Sequence, residues 1–442
     1  MSLLTSAGLI RPKEPGNTIA GWDLAISLTL AALGFFACVY AASALPSTFC
    51  QSFRTQNVWF DGDCWMYADA MTNRLGLYQG TRVHPLLNFL LYIPTFILRT
   101  IGLANAQAVL AIIGILAAAW VAGWYCLARL VGCREVESAL VAVLAGSCGG
   151  VTVAFPLPEA HAWAGLSLLA SLILVVRYPN RVGIVWHVVI GIISASAIIT
   201  NWTLGALISW KRLPRLRALK VIAITGVTML GLSVIQKAIF PNAALILTGT
   251  HQWSENYSYV PSPQRIYEAS RAFWMHAAVL PTVGTTDTFR RDQKFFIGPG
   301  QWPHPYLSVQ RSALAFPTII GAVALAGWLL LIGLGAWAWW HQLTQPFLGW
   351  ALLAQFSLFL VFGTETILYA PSWLPYLLAL IVFAAAFWPR RFILPVLVVV
   401  VTCMLAHNAR TFAVAADMVV HPDDYPDLMY HLDRSIPPAE TP

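Results

Sequence analysis

The sequence predicts an all-α, polytopic membrane protein of about eleven transmembrane helices, a single domain over residues 1–442 with two larger outward-facing loops. Three observations lead there. Of its 442 residues, 58% are apolar and 10% charged, with a mean hydropathy of +0.68, whereas a soluble globular chain carries about 25% charged residues. The apolar residues fall into runs near the roughly 20 residues that cross a bilayer. The Lys and Arg clusters between those runs can all be placed on one side of the membrane without skipping a span.

This composition excludes a soluble enzyme with one anchor. Aromatic residues make up 12% of the chain, with 19 Trp, as expected of many short spans whose ends meet the headgroups. The net charge of +7 is read as positive-inside bias. No basic block with interleaved aromatics points to nucleic acid, and there is no internal repeat or low-complexity tract.

Residues 22–45 form the first span, running outward. The run exceeds a signal-peptide core and lacks a small-x-small cleavage site, so it is expected to be retained. Residues 46–103 make the first outward loop, in which 84–101, interrupted by Asn88 and Pro94, reads as an interfacial or re-entrant piece. Residues 104–130 return inward, 137–155 go out, 161–176 come back and 183–200 go out again. The run 202–210 is too short to cross alone, and the five basic residues of 211–220 after it imply a broken or half-length return helix. Residues 221–240 lead out to the largest loop, the 71 residues 241–311, rich in Trp, Tyr, His and Pro. Residues 313–340 return, 347–362 exit, 372–388 enter and 392–407 exit. An acidic tail, 411–442, is then outside.

In this threading the inner segments hold 13 Lys and Arg against four acids, Glu14, Asp23, Glu135 and Glu137, which leaves 13 of the 26 bases and 15 of the 19 acids outside. The asymmetry supports an inner N-terminus and a periplasmic or extracellular C-terminus, with a bacterial inner membrane as the expected location. The inner turn near His341 carries no Lys or Arg. Of seven cysteines, none has metal-ligand spacing. Cys50 and Cys64 share one polar loop and could close a short disulfide in an oxidising compartment or stand as two thiols.

Candidate chemistry gathers in the outward loops. Cys64, Ala68, Met71 and Leu75 recur as one apolar stripe, predicting a helix flat on the membrane surface. Gly62 breaks the chain before it, and Asp63 stands at its N-cap, where a carboxylate accepts from free backbone N–H groups; a substrate-binding role is the other reading. Asp61 lies beside Trp59 and Phe60 and before a glycine that would let the backbone approach a ligand. A carboxylate partly desolvated by aromatics is a candidate general base, and a solvated loop acid is the alternative. Arg82 and His84 could grip a lipid phosphate or anchor headgroups. Glu159 and His161 punctuate the second outward turn, at a depth where ionisable groups are costly.

A helix is expected over 263–280, carrying Arg265, Glu268, Arg271 and His276 and followed by Arg290, Arg291 and Lys294. Its basic face suits an anionic headgroup or pyrophosphate; ion pairs of Glu268 with Arg265 or Arg271 are the alternative. Glu365 lies between two late spans, as a site residue or a helix-end carboxylate. No nucleophile elbow, P-loop, dinucleotide glycine fingerprint or HExxH motif occurs, so hydride transfer, ATP hydrolysis and zinc proteolysis are unsupported.

Phe60-Asp61-Gly62-Asp63 after the first span, an interfacial helix, and then His84-Pro85-Leu86-Leu87 resembles the FDE…HPPL pattern of membrane protein O-mannosyltransferases. These belong to the GT-C glycosyltransferases, which include the lipid A aminoarabinose transferases. The layout is similar over most of the chain and the short motifs over its first 100 residues. The pattern's adjacent Glu is Gly62 here, with Asp63 one step on, and its second Pro is Leu86. The resemblance implies a polyprenyl-phosphate sugar as donor and a glycan, lipid or protein hydroxyl as acceptor, with no cofactor and no required divalent metal. By that resemblance Asp61 and Glu159 are the catalytic pair; the reading of the loops themselves adds Asp63, Arg82, His84, His161, Arg271 and Glu365 as substrate-binding candidates. A secondary transporter or lipid flippase is the alternative, and a noncatalytic assembly factor a third possibility.

Overall fold

The computed structural model describes residues 21–46, 58–76, 79–180, 183–246, 248, 260–285, 307–309, 318–342, 347–363 and 366–421. They form a helical bundle whose only strands are the two-residue β1 (Gly284–Thr285) and β2 (Leu307–Ser308), paired antiparallel. Six described helices are long and apolar enough to cross a membrane, which makes the chain an all-α integral membrane protein. They are α1 (Gly21–Ser43), α4 (Asn105–Val131), α7 (Ala160–Arg177), α10 (Arg215–Ile239), α12 (Ile319–Gln342) and α15 (Arg390–Val420). Four shorter apolar helices accompany them: α3 (Leu87–Thr100), α8 (Ile184–Ala195), α13 (Phe347–Val361) and α14 (Leu374–Phe387). The remaining pieces are α2 (Cys64–Thr72), α5 (Glu135–Ser147), α6 (Gly149–Ala154), α9 (Trp202–Arg212) and α11 (Pro263–Arg271).

Burial sorts these helices. α14 is apolar on every side because every side is covered, with Leu374 through Ala385 all buried. α1 is apolar on every side for the opposite reason: Leu24, Leu28, Leu33, Phe36 and Tyr40 are exposed, as on a helix facing lipid. α1 packs along α4 through a close crossing at Gly114, where a Cβ would stand 2.7 Å from the ring of Phe35. Small residues permit this approach, and van der Waals contact then holds helices that lipid surrounds.

At one end of the bundle the ionic contacts bring together residues that the charge pattern assigns to a single side. The Asp23 carboxylate accepts from Arg129 Nε at 2.6 Å and from the Tyr125 hydroxyl at 2.7 Å. Arg129 also meets Glu135 at 2.9 Å, and Arg390 meets Glu137 at 2.9 Å.

The expected outward run 137–155 is broken at Cys148, between α5 and α6. The N–H groups of Gly149 and Gly150 leave the helix and donate to Ala278 and Ala277 at 2.8 and 2.9 Å. Asn408 of α15 closes the gap: its amide donates to the carbonyls of Ser147 and Ala278, both at 2.7 Å, and its Oδ1 accepts from the Leu280 N–H at 2.9 Å. The run 183–200 likewise ends early, giving α8 only 12 residues. Its continuation pairs with the first loop, Ser196 accepting from Leu86 at 3.0 Å and Ile199 donating to Val83 at 2.9 Å. The half-length return helix expected at 202–210 is α9, of 11 residues.

Two further boundaries differ from expectation. The helix expected over 263–280 is α11, N-capped by the Ser262 hydroxyl and started at Pro263, followed by a π-turn at Ala272–His276. α15 runs 31 residues to Val420, so the first ten residues expected in the tail are helical.

Candidate functional site

Asp61 sits on a strained turn. Phe60 and Asp61 take φ values of 50° and 62° in succession, a left-handed conformation that costs non-glycine residues roughly 1–2 kcal/mol each. The turn closes with the Gly62 N–H donating to Trp59 O at 3.0 Å. Tertiary packing holds it there. The Trp59 indole donates to Val153 O at 3.0 Å, its ring meets Phe412 edge-on at 5.2 Å, and Val58 O accepts from the Leu307 N–H at 2.8 Å. Trp59 and Phe60 are each 1% exposed. Their rings therefore anchor the turn in the core, while Asp61 is left half-buried at its tip.

Gly62 is needed for a close approach, and the group that approaches is Glu159. A Cβ there would lie 3.1 Å from Glu159 Oε1 and from Trp59 O. Glu159 is the N-cap of α7, where its Oε2 accepts from the Ala160 N–H at 3.1 Å. It is 2% exposed, and burial holds its carboxyl well above the usual range. The charges of Asp63 and Asp61 push the same way, and the N–H groups of Asp63 and Ala160 only partly oppose them.

Asp63 occupies the N-cap position of α2, but its side chain makes no capping hydrogen bond, which corrects the capping role. Its backbone there, φ −81° and ψ 40°, is not the extended conformation from which a cap carboxylate reaches back to the helix N–H groups. Burial and then the Asp61 charge push it up to about 7. The three carboxyls thus act on one another, each negative charge favouring the protonated form of its neighbours.

Two histidines are also candidates: His161, two residues after Glu159, and His84 of the first loop. His84 is buried and its Nδ1–H donates to Ala197 O at 2.7 Å, while burial lowers its pKa to about 4. It is a neutral imidazole pinning the first loop to the break after α8, and it offers no cation. His161, in the first turn of α7, is buried and lies edge-on to Tyr369 with ring centroids 4.7 Å apart. Tyr369 belongs to the 3-10 segment Thr366–Ser372.

The remaining candidates lie elsewhere around this end. Arg82 ends the 3-10 turn Gln79–Arg82, half-buried, where Thr81 is bonded both ways to Ala244 at 2.9 and 2.7 Å. Arg271 closes α11, is 5% exposed, and lays its guanidinium 4.3 Å over the Tyr267 ring. His276 follows in the π-turn, its pKa lowered to about 3 by burial and then by Arg271. Arg265 is structural: one terminal nitrogen donates to Phe359, Phe362 and Gly363 O at 2.9, 3.0 and 2.7 Å, closing the C-terminus of α13. Glu268 accepts from Gln264 at 2.7 Å. Glu365, Cys50, Arg290, Arg291 and Lys294 lie outside the described residues.

Sequence reasoning passed over Asn408 and His407, which tie α15 to the break at Cys148. His407 Nε2–H donates to Leu280 O at 2.8 Å. Their signal was available, since polar side chains inside a long apolar helix rarely lack an employment. Among the described residues no group of His, Cys, Asp and Glu is arranged to hold a metal ion. In comparisons with family models, curated proteins and solved structures, the chain matches none of them. The geometry itself offers an ionisable Asp61 at the surface of a proton-holding pair, a constellation suited to moving a proton to or from a hydroxyl.

Proposed function

We propose that the protein is a GT-C-like glycosyltransferase of about eleven membrane crossings, the short and broken helices counting as crossings with their neighbours. It moves a sugar from a polyprenyl-phosphate carrier to a hydroxyl of a glycan, lipid or protein at the outer face of a bacterial inner membrane. Asp61 takes the acceptor proton. The acceptor oxygen forms a bond to the anomeric carbon, and the bond from that carbon to the lipid phosphate breaks, its electron pair leaving with the phosphate. In this reading Arg82 and Arg271 are the cations assigned to the leaving phosphate. Glu159, protonated, donates a hydrogen bond to acceptor or sugar. No cofactor enters, since placement and charge supply the catalysis.

The observation that carries this reading is the strained turn presenting Asp61 beside buried Glu159. Sustained strain of this kind clusters at functional sites. The test is mass spectrometry of surface glycans from cells lacking the protein, complemented with wild type or Asp61→Asn. Loss of a positioned base lowers transfer by about 10²–10⁴-fold while binding of the lipid donor is retained; unchanged transfer rejects Asp61 as the base.

A second reading, a secondary transporter or flippase, is favoured by the helix breaks at Cys148 and after Ala195, because transporters build sites on discontinuous helices. Under it, Asp61→Asn changes lipid movement in proteoliposomes and leaves no sugar transfer to lose.

A further inference from the structure

α2 follows directly from the strained Asp61 turn and has two unlike faces. Cys64, Tyr67, Ala68, Ala70 and Met71 are buried. The opposite arc carries Trp65, Asp69 and Thr72, all half-buried, and ends at exposed Asn73. Trp65, Asp69 and Asn73 fall four residues apart, as neighbours along one line of a helix surface.

The carboxylate on this face is held in place. Asn73 Nδ2 donates to Asp69 Oδ1 at 3.2 Å, Asn73 Oδ1 accepts from the Leu75 N–H at 2.9 Å, and a Cβ on Gly76 would stand 2.5 Å from Asp69 Oδ2. Gly76 therefore clears the space that Oδ2 occupies. The end of the helix is fixed as well: Arg99 of α3 donates to Thr72 O at 2.6 Å, and Arg74 Nε to Ile239 O at 2.7 Å. A carboxylate in the last turn of a helix works against the helix dipole, so helix stability does not explain Asp69 there.

The chemistry of the face selects its occupant. An indole offers a flat apolar surface with a negative π face to the C–H groups of a sugar ring, and a fixed carboxylate and amide pair with its hydroxyls. Between Arg54 and Arg74 the sequence has three acids, Asp61, Asp63 and Asp69, and no Lys or Arg. Such a segment repels an anionic ligand and suits a neutral, polyhydroxylated one.

We propose that this face of α2 is a glycan-binding platform, a neutral sugar ring stacking on Trp65 while its hydroxyls donate to Asp69 and accept from Asn73. Trp65 to Asn73 spans about 12 Å at 1.5 Å per residue, room for more than one ring. The role of the bound chain rests on the reading of Asp61 as the base: it is the acceptor, presented to Asp61 from the adjoining helix, which narrows the acceptor to a carbohydrate hydroxyl.

The purified full-length protein, in a detergent without a sugar headgroup, is applied to an array of short neutral oligosaccharides of hexoses and N-acetylhexosamines, printed beside serine- and threonine-bearing peptides and phospholipids. Wild type binds oligosaccharides. Trp65→Leu removes the stacking surface and lowers that binding about tenfold, whereas Trp65→Tyr keeps a ring and retains most of it. Asp69→Asn keeps the shape, removes the charged acceptor and lowers binding by at least about tenfold; it carries the test if Trp65→Leu melts early. No oligosaccharide bound by wild type, binding confined to peptides or phospholipids, or a folded Trp65→Leu or Asp69→Asn variant that binds like wild type overturns the proposal. The array reads binding alone, so the two readings fail separately: unchanged surface glycans in cells lacking the protein reject the transfer reaction, while oligosaccharide binding that Trp65→Leu weakens still upholds the platform.

Discussion

Gly62 is the most exacting position in the candidate site. With Glu159 Oε1 and Trp59 O each 3.1 Å from where a Cβ would stand, Gly62→Ala must displace either the carboxyl or the turn. Transfer is expected to fall by at least about tenfold, the effect of a roughly 1.4 kcal/mol misplacement, while the far-ultraviolet circular dichroism stays unchanged. Asp63 makes a second prediction. Its folded pKa of about 7 lies above the ordinary carboxyl value of 3.8, so the folded state binds the extra proton, and stability present at low pH is lost as pH rises through that window. Asp63→Asn, permanently neutral, should flatten the dependence of melting temperature on pH between 4 and 7. A slope equal to wild type removes Asp63 from the buried cluster. At this scale the sequence was partly readable. Asp61 stood out because it had no structural employment, whereas the partner of Gly62 was hidden, since Glu159 lies 97 residues away and only the fold brings them together.

The helices themselves were legible because hydropathy is a property of each segment. Their breaks were not, because a break is decided by distant partners. The Gly149 and Gly150 N–H groups leave α5 only because Ala277 and Ala278 accept them and Asn408 satisfies the carbonyls left behind. Asn408→Ala should therefore cost about 1–3 kcal/mol, the penalty for buried polar groups left unpaired, read as a lower melting temperature in detergent. Asn408→Asp restores the acceptor for Leu280 but not the donors, and is expected to rescue little. The same logic explains α11: Ser262 and Pro263 mark its start in the sequence, but its early end in a π-turn depends on contacts from elsewhere in the chain.

For the whole molecule, the charge pattern of the sequence alone assigns Asp23, Arg129, Glu135, Glu137 and Arg390 to one side. Their meeting at one end of the bundle is what the proposed orientation requires. Arg129→Met leaves Asp23, 2% exposed, without its cation; breaking such a pair costs about 3–5 kcal/mol, and the variant should accumulate poorly and melt early. Orientation has a direct measurement. In a background without native cysteines, Leu216→Cys should react with an impermeant maleimide only in inverted vesicles, and Val260→Cys only in right-side-out ones; both positions are exposed. Labelling of both from one side would reject the threading.

The long last helix has one more implication. From Arg390, paired with Glu137, to Phe412, packed on Trp59, α15 climbs about 33 Å at 1.5 Å per residue, close to the roughly 30 Å of a bilayer's hydrocarbon. It works as a ruler: in the proposed orientation its foot stands among the inner charges, and the altitude it sets for the Asp61 turn is then the waterline of the opposite leaflet, where a lipid-borne headgroup would surface.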